Sequence, residues 1–139
     1  MGLFGNAIRK RVQQHKDNSK QGIITKNNLR LEFDDKEKII TLITPGDNKL
    51  VLNDKDKLIT LTTKNKNLLT LDDKNKKVSI KDQHKNSIEM SSSGITIQSD
   101  KKLVLKAKQA IEIDAGSSLS AKAKQATNVE AGTALNLKG

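Results

Sequence analysis

The chain has 139 residues, and only 34% of them are hydrophobic, with Phe4 and Phe33 as the sole aromatic residues. Because aromatic side chains dominate the cores of globular domains, this composition excludes an ordinary compact core. The formal net charge of +10 comes mostly from scattered lysines, without the basic clusters and stacking aromatics typical of nucleic-acid binding. We therefore expect no nucleic acid among its partners. Without cysteine, neither disulfides nor thiolate metal sites are available.

Residues 1–21 differ from the rest of the chain. Ile8 and Val12 are spaced i, i+4 within NAIRKRVQQHK, so we expect a linker or a short helix here. The segment lacks the apolar stretch of a cleaved secretion signal. No apolar run in the sequence approaches the ~18 residues of a transmembrane helix.

From residue 22 onward, pairs of apolar residues separated by one residue alternate with polar turns. This period of two is typical of half-buried β-strands, and its recurrence indicates a repeat architecture. Over 22–94 the repeat is 9–11 residues, which leaves room for a strand and a turn and predicts a meander. The predicted pairs are Leu29/Leu31, Ile40/Leu42, Leu50/Leu52, Ile59/Leu61, Leu69/Leu71, Val78/Ile80, Ile88/Met90, Ile95/Ile97, Leu103/Leu105, Ile111/Ile113, Leu119/Ala121, Thr127/Val129 and Leu135/Leu137.

The region 95–139 repeats every eight residues, which predicts a different geometry. In octads numbered from Ile95, positions 1, 3 and 5 share one face of a strand, and Gly116 and Gly132 occupy position 6, where we expect a bend with unusual backbone angles. One octad supplies about one side of a β-solenoid coil and cannot bury itself. We therefore predict that three chains close a prism around a shared core. The predicted core residues are Ile95, Ile97, Leu103, Leu105, Ala107, Ile111, Ile113, Ala115, Leu119, Ala123, Val129, Ala131, Leu135 and Leu137.

Position 4 of the octads alternates in charge. Octad n of one chain would lie beside octad n+1 of the next, so the alternation predicts a ladder of inter-chain ion pairs. Such a ladder would set the register rather than the stability, since each exposed pair contributes only about 0.2–1 kcal/mol. A chance pattern on a solvated face is the alternative. The ladder residues are Lys106, Asp114, Lys122, Glu130 and Lys138.

The sequence contains no constellation typical of an enzyme, and we expect no catalytic residue, cofactor or metal ligand. His15 and His84 fall in a predicted linker and a predicted turn. The pairs Asp34/Asp35 and Asp72/Asp73 open lysine-rich turns, and turn chemistry explains them better than acid–base catalysis or Ca²⁺ binding. Thr127 leaves two interpretations open. Three such hydroxyls could bind a water or an ion on a threefold axis, or each could bond to backbone.

Two stretches of the sequence resemble the C-terminal needle of the VgrG spike proteins of type VI secretion systems, an architecture shared with the tail spikes of contractile bacteriophages. They are NNLRLEFDDKEKIITLITPGDNKLVLNDKDKLITL and NSIEMSSSGITIQSDKKLVLKAKQAIEIDAG. The most specific feature is the step NSIEMSSSGITI followed by K-A-K and [DE]-A-G repeats. The resemblance covers residues 22–139.

The resemblance implies a homotrimeric, intertwined triple-stranded β-helix that forms the rigid needle of a contractile injection system. It implies hub and OB-fold domains of the spike or baseplate, a tip cap or effector, and transiently a target membrane as partners. Such a needle would assemble in the bacterial cytoplasm and then be propelled out of the cell into a target envelope. No hub sequence is present and the last octad is incomplete, which predicts a truncated or unusually small spike. A trimeric stalk of an adhesin or tail fibre, and a solenoid binding module, are the alternatives.

Overall fold

A computed structural model describes residues 19–138, and they have the all-β architecture that the sequence predicts. Nine strands of five residues each form one open antiparallel sheet, in which every strand pairs with its neighbours in the sequence. The described residues form no helix, and so none that could cross a membrane. The predicted linker or helix at 1–21 lies almost entirely outside them. The strands are β1 (Lys20–Ile24), β2 (Arg30–Asp34), β3 (Ile39–Ile43), β4 (Lys49–Asn53), β5 (Leu58–Thr62), β6 (Leu68–Asp72), β7 (Lys77–Lys81), β8 (Ser87–Ser91) and β9 (Gly94–Gln98).

Two kinds of turn connect the strands, and each kind occupies one edge of the sheet. The turns of the long-turn edge have five residues, and those of the short-turn edge have four, except that Ser92 and Ser93 alone join β8 to β9. This regular alternation is what an up-and-down meander requires. The long turns are 25–29, 44–48, 63–67 and 82–86, and the other short turns are 35–38, 54–57 and 73–76.

The structural repeat is a hairpin of 19 residues. Each long turn and each four-residue short turn has a residue with positive φ near its end, and corresponding residues recur every 19 positions. The turn hydrogen bonds recur with the same step, since Thr44 and Thr63 accept the backbone N–H of the residue four positions later, each at 3.2 Å. One 9-residue step and one 10-residue step of the sequence therefore together make up one complete hairpin. The positive-φ residues are Asn28, Asp47, Lys66 and Lys85 in the long turns, and Lys38, Lys57 and Lys76 in the short turns.

Successive short turns are also bonded to each other. The first residue of each four-residue turn donates its backbone N–H to a carbonyl 16 positions earlier in the chain. These bonds satisfy backbone groups that would otherwise have only water as a partner, and they hold the turns in a column. They are Asp35 to Ser19 at 2.8 Å, Asp54 to Lys38 at 3.1 Å and Asp73 to Lys57 at 3.0 Å.

The register gives the sheet two chemically different faces. The apolar face carries two rows of side chains, in which Gln21 is the single polar residue. The hydroxyl face carries three rows, and its central row consists mostly of Thr, Ser and Glu. The rows of the apolar face are Ile23, Leu31, Leu42, Leu50, Leu61, Leu69, Ile80, Ile88 and Ile97, and Gln21, Phe33, Ile40, Leu52, Ile59, Leu71, Val78, Met90 and Ile95.

Two details at the start of the sheet differ from the predicted strands. The apolar pair of β2 is Leu31/Phe33 rather than Leu29/Leu31. Leu29 instead closes a long turn, where its N–H donates to the Thr25 hydroxyl at 3.0 Å. The predicted pairs also omit β1, because Gln21 occupies the position that an apolar residue takes in every later strand.

The sheet extends past residue 94. Ile95 and Ile97, which the spacing assigns to the octads, lie in β9 opposite Met90 and Ile88. Their strand completes the two rows of the apolar face. The division into 22–94 and 95–139 remains a prediction for the assembled protein.

Residues 104–138 form a second unit that has no strand within the single chain. Bends recur there at 108–109, 116–117, 124–125 and 132–133, in step with the octads. The strands predicted at Leu103/Leu105, Ile111/Ile113, Leu119/Ala121, Thr127/Val129 and Leu135/Leu137 are thus absent from one chain. Spacing alone does not account for this, because the apolar pairs of β8 and β9 begin only seven residues apart and their strands still pair through a two-residue turn. The octads differ in their connection, since each repeat has a bend where β8 and β9 have a hairpin turn.

The backbone at the octad bends corrects one expectation. Gly116 and Gly132 lie at bends, as predicted, but neither has a positive φ. Lys108 and Lys124 occupy the same octad position and bend as well. The bend therefore needs no unusual backbone angle, and a Cβ added at either glycine meets nothing within 4 Å in the single chain.

Candidate assembly surface

The apolar face of the sheet is open to solvent in the single chain. The described residues include no buried hydrophobic side chain, and Leu61 at the centre of the face is 45% exposed. Exposure is highest in the edge strand β9, where Ile95 reaches 69%. A sheet that forms all its backbone hydrogen bonds but buries neither face has no core of its own.

The area of the apolar face decides how this exposure is to be interpreted. Side chains of this size at about 40% exposure together present on the order of 1,000 Å² of apolar surface, whereas the largest patch on a typical monomer is about 300–600 Å². A standard protein interface buries about 800 Å² on each partner. The apolar face is therefore as large as an interface, and it is the candidate functional surface of this chain.

The hydroxyl face is more polar and is already partly covered by its own side chains. Ser79 in its central row is 5% exposed, and it is the one buried residue among those described. Beside it, Lys77 forms an ion pair with Glu89 at 2.7 Å. At the start of the sheet Lys20 pairs with Asp34 at 3.3 Å, directly across β1 and β2. Its two outer rows also carry half-buried aliphatic residues, such as Ile39, Ile43 and Leu58, so this face is mixed in character, with its charged residues able to contact solvent.

A shallow cavity of about 390 Å³ lies mainly on the hydroxyl face at β1 to β4. Its polar lining includes Lys20, Glu32, Asp34 and Lys49. Asp34 is neutralised by its ion pair with Lys20 and accepts the N–H of Glu37 at 2.9 Å, so it serves as a turn cap. The cavity has no nucleophile paired with a base, and the described residues contain no cluster of three metal-ligating side chains.

The turn carboxylates are held in their charged form by hydrogen bonds. The backbone N–H of Glu37 and the nearby Lys20 lower the pKa of Asp34. The side-chain amide of Asn75, followed by its backbone N–H, lowers the pKa of Asp72. These contacts match the interpretation of Asp34 and Asp72 as turn residues.

The same chemistry appears on the long-turn edge. The amide of Asn86 lowers the pKa of Asp82, whose oxygen also accepts the backbone N–H of His84 at 2.8 Å. On the short-turn edge, Glu37 forms an ion pair with Lys55 and raises the pKa of that lysine. His84 is exposed within its turn, as the sequence predicts.

Every predicted core residue of the octads is exposed in the single chain, from Ile111 at 54% to Leu137 at 86%. The ladder residues Lys106, Asp114, Lys122, Glu130 and Lys138 are exposed too, and none forms an ion pair within the described part of the chain. Thr127 is likewise exposed. The core and the ladder are both predicted to form between chains, so a single chain does not bring the residues of either into contact. Both remain predictions.

Sequence reasoning assigned the shared core to the octads and missed that the sheet offers a larger surface of the same kind. The signal was present in the sequence. Apolar residues at two alternate positions of each strand from β2 onward, with mostly polar residues at the other three, mark one dry face and one wetter face. The 19-residue repeat was also visible in the sequence, as the sum of the alternating 9- and 10-residue spacings between apolar pairs.

In comparisons with known proteins, no family model and no curated protein matches the chain.

Proposed function

We propose that this chain is a structural subunit that assembles as a homotrimer into the rigid needle of a contractile injection system, and that it acts mechanically rather than as an enzyme. The observation that supports this is the open apolar face, whose two rows run along nine strands with Gln21 as their single polar residue and no buried hydrophobic residue behind them. The needle identity itself rests on the resemblance to VgrG spikes.

The strand geometry suits a prism built of three walls. From β2 to β9, each strand directs two apolar side chains to one face and three residues to the other, most of them polar over the sheet as a whole, so the dry face is the narrower one. Three such walls can converge on an axis with their narrow faces inward. At a strand spacing of about 4.8 Å, nine strands extend roughly 40 Å along that axis.

The octads supply a second reason for three chains. Residues 104–138 expose their backbone, with no hydrogen bond to stabilise it in the single chain, and expose all their apolar side chains. Three intertwined copies would pair each octad with octads of neighbouring chains and cover the aliphatic side chains at positions 1 and 3. In this arrangement folding of the octads and assembly become one transition.

Light scattering on the purified full chain tests the assembly, and we expect a mass of three chains at micromolar concentration. A monomer, or a dimer formed by two apolar faces, would overturn the trimer. Electron microscopy with an antibody to the chain then tests its role. The label should lie at the pointed end of tube-and-sheath particles from cells that produce the protein. Label on the cell surface, with none on such particles, would favour the adhesin or fibre stalk.

A further inference from the structure

The two turn edges of the sheet differ in charge. With the strand ends included, the long-turn edge carries the basic residues Lys26, Arg30, Lys49, Lys64, Lys66, Lys81 and Lys85, against Asp47 and Asp82 alone. The short-turn edge carries eight basic residues against seven acidic ones, and it holds most carboxylates of the sheet: Asp34, Asp35, Glu37, Asp54, Asp56, Asp72 and Asp73.

Many of these charges have no partner of opposite sign within the chain. On the short-turn edge, Asp35, Asp54 and Asp73 are exposed and form a column, and none makes an ion pair among the described residues. On the long-turn edge, Arg30 alone makes one, with Glu32 at 4.0 Å. The lysines of that edge have no carboxylate within ion-pair distance in the described part of the chain.

The turns of the two edges are also out of step by one strand. Because the sheet is a meander, a long turn joins β5 to β6 while short turns join β4 to β5 and β6 to β7. Turns on the same edge are therefore separated by two strand spacings, about 9.6 Å. If two copies are related by a rotation alone, the long turns of one copy lie level with the gaps between the short turns of the other.

From the unpaired lysines of the long-turn edge and the unpaired aspartate column of the short-turn edge, we propose that the long-turn edge docks against the short-turn edge of a second copy of the chain, with the turns interdigitated. The proposal rests on the trimer proposed above and specifies its corners. Each chain offers one edge of each kind, which is the heterologous contact that closes a ring of three. In this contact Lys64 lies between the turns that begin with Asp54 and Asp73, and Lys26 lies beside the turn that begins with Asp35.

Charge exchange on the full chain tests this docking. The first variant, Lys26→Glu with Lys64→Glu, places like charges at every corner. The second, Asp35→Lys with Asp54→Lys, does so from the other edge. The swapped variant carries all four changes and restores opposite charges with the edges exchanged. As a matched control, Lys108→Glu with Lys124→Glu makes the same charge change as the first variant at octad bends.

In low salt we expect each single-edge variant to raise the dissociation constant of the trimer at least tenfold or so, since three corners are affected. The swapped variant should return to within about threefold of the wild type, and the control should stay there. When refolded together, the wild type and the swapped variant should form separate trimers. About 0.5 M salt should reduce all these differences.

The outcomes separate this proposal from the one on which it rests. Trimers of equal strength in all variants, or free mixing of the wild type with the swapped variant, would overturn the docking and leave the trimer intact. A monomeric wild type would overturn both.

Discussion

The sheet and the octad region use the same sequence motif, an apolar pair flanked by polar residues, with opposite results. In the sheet the pairs recur every 9 or 10 residues, and after seven between β8 and β9, and each strand finds hydrogen-bond partners in its own chain. In 104–138 they recur every eight, and the chain forms bends but no strands. The length of the repeat therefore does not by itself decide whether a strand pairs within its own chain. The connection differs as well, because the sheet has hairpin turns where the octads have bends.

The comparison also shows what the two regions share. Neither buries a hydrophobic side chain, although the sheet satisfies its backbone and the octads do not. Backbone pairing and side-chain burial are therefore separate requirements, and the single chain meets only the first of them, and only in the sheet. In the proposed trimer the sheet gains a core, whereas the octads gain both a core and their strands.

The largest effect is expected from a charge on the apolar face. Leu61→Glu places a carboxylate at the centre of that face, where the trimer would have to bury it three times, at a cost of several kcal/mol. We expect loss of the trimer by light scattering and loss of cooperative thermal unfolding.

The neighbouring residue provides the control. Thr60→Glu introduces the same group on the hydroxyl face, in the row that already contains Glu32 and Glu89. It should remain trimeric. If Leu61→Glu stayed trimeric with unchanged melting, the apolar face would not be the core of the assembly.

Hydrogen exchange sharpens the difference between the two regions. In the trimer we expect amides in both regions to be protected, by about a thousandfold or more. On dilution below the dissociation concentration, octad amides should lose all protection, because no bond within the chain holds them. Sheet amides should keep part of theirs for as long as the meander persists. Octad amides that exchange freely even in the trimer would contradict the predicted inter-chain strands.

A smaller effect is expected in the predicted charge ladder. Asp114→Lys with Glu130→Lys makes every ladder residue in 106–138 positive, and each exposed pair contributes about 0.2–1 kcal/mol. The melting temperature of the trimer should fall by a few degrees at low salt and less at high salt. Asp100→Lys with Glu112→Lys makes the same charge change outside position 4 and is the matched control. Equal melting of all three proteins would mean that the alternation of charge has no structural role.

How far the sequence predicts this structure depends on the range of the interaction involved. Strands β3 to β9 followed from local alternation, since apolar residues at alternate positions and Asn, Asp or Lys in the turns favour a hairpin wherever they occur. Strand β1 did not, because Gln21 breaks the pattern and only pairing with β2 reveals the strand.

Longer-range features could not be predicted with equal certainty. Leu29 is an apolar residue of the kind found in strands. It nevertheless lies in a turn, because its N–H donates a hydrogen bond to the Thr25 hydroxyl. The difference in charge between the two turn edges depends on which turns share an edge. That is known only once the order and direction of the strands in the meander are known. The octad core and the ladder involve several chains, so one sequence can suggest them but one chain cannot form them.

The smallest effect concerns acid. The pKa of Asp72 and that of Asp82 are lowered by hydrogen bonds from Asn75 and Asn86, so folding favours their charged forms. Their contribution to stability is present above the unfolded pKa, about 4, and is lost as the pH falls through the lower folded value. The midpoint of thermal unfolding should therefore decrease between about pH 5 and pH 3.

This acid effect can be isolated by replacing the two aspartates with the residues that other hairpins of the sheet have at the equivalent positions. Asp72→Asn copies Asn53, whose oxygen accepts the N–H of Asp56 at 3.0 Å, and Asp82→Thr copies Thr63. Both keep a hydrogen-bond acceptor in the turn and remove the titrating group. In the double variant the midpoint should decrease less steeply over the same pH range. An unchanged slope would assign the acid sensitivity to other carboxylates, such as Asp34, whose pKa is also lowered.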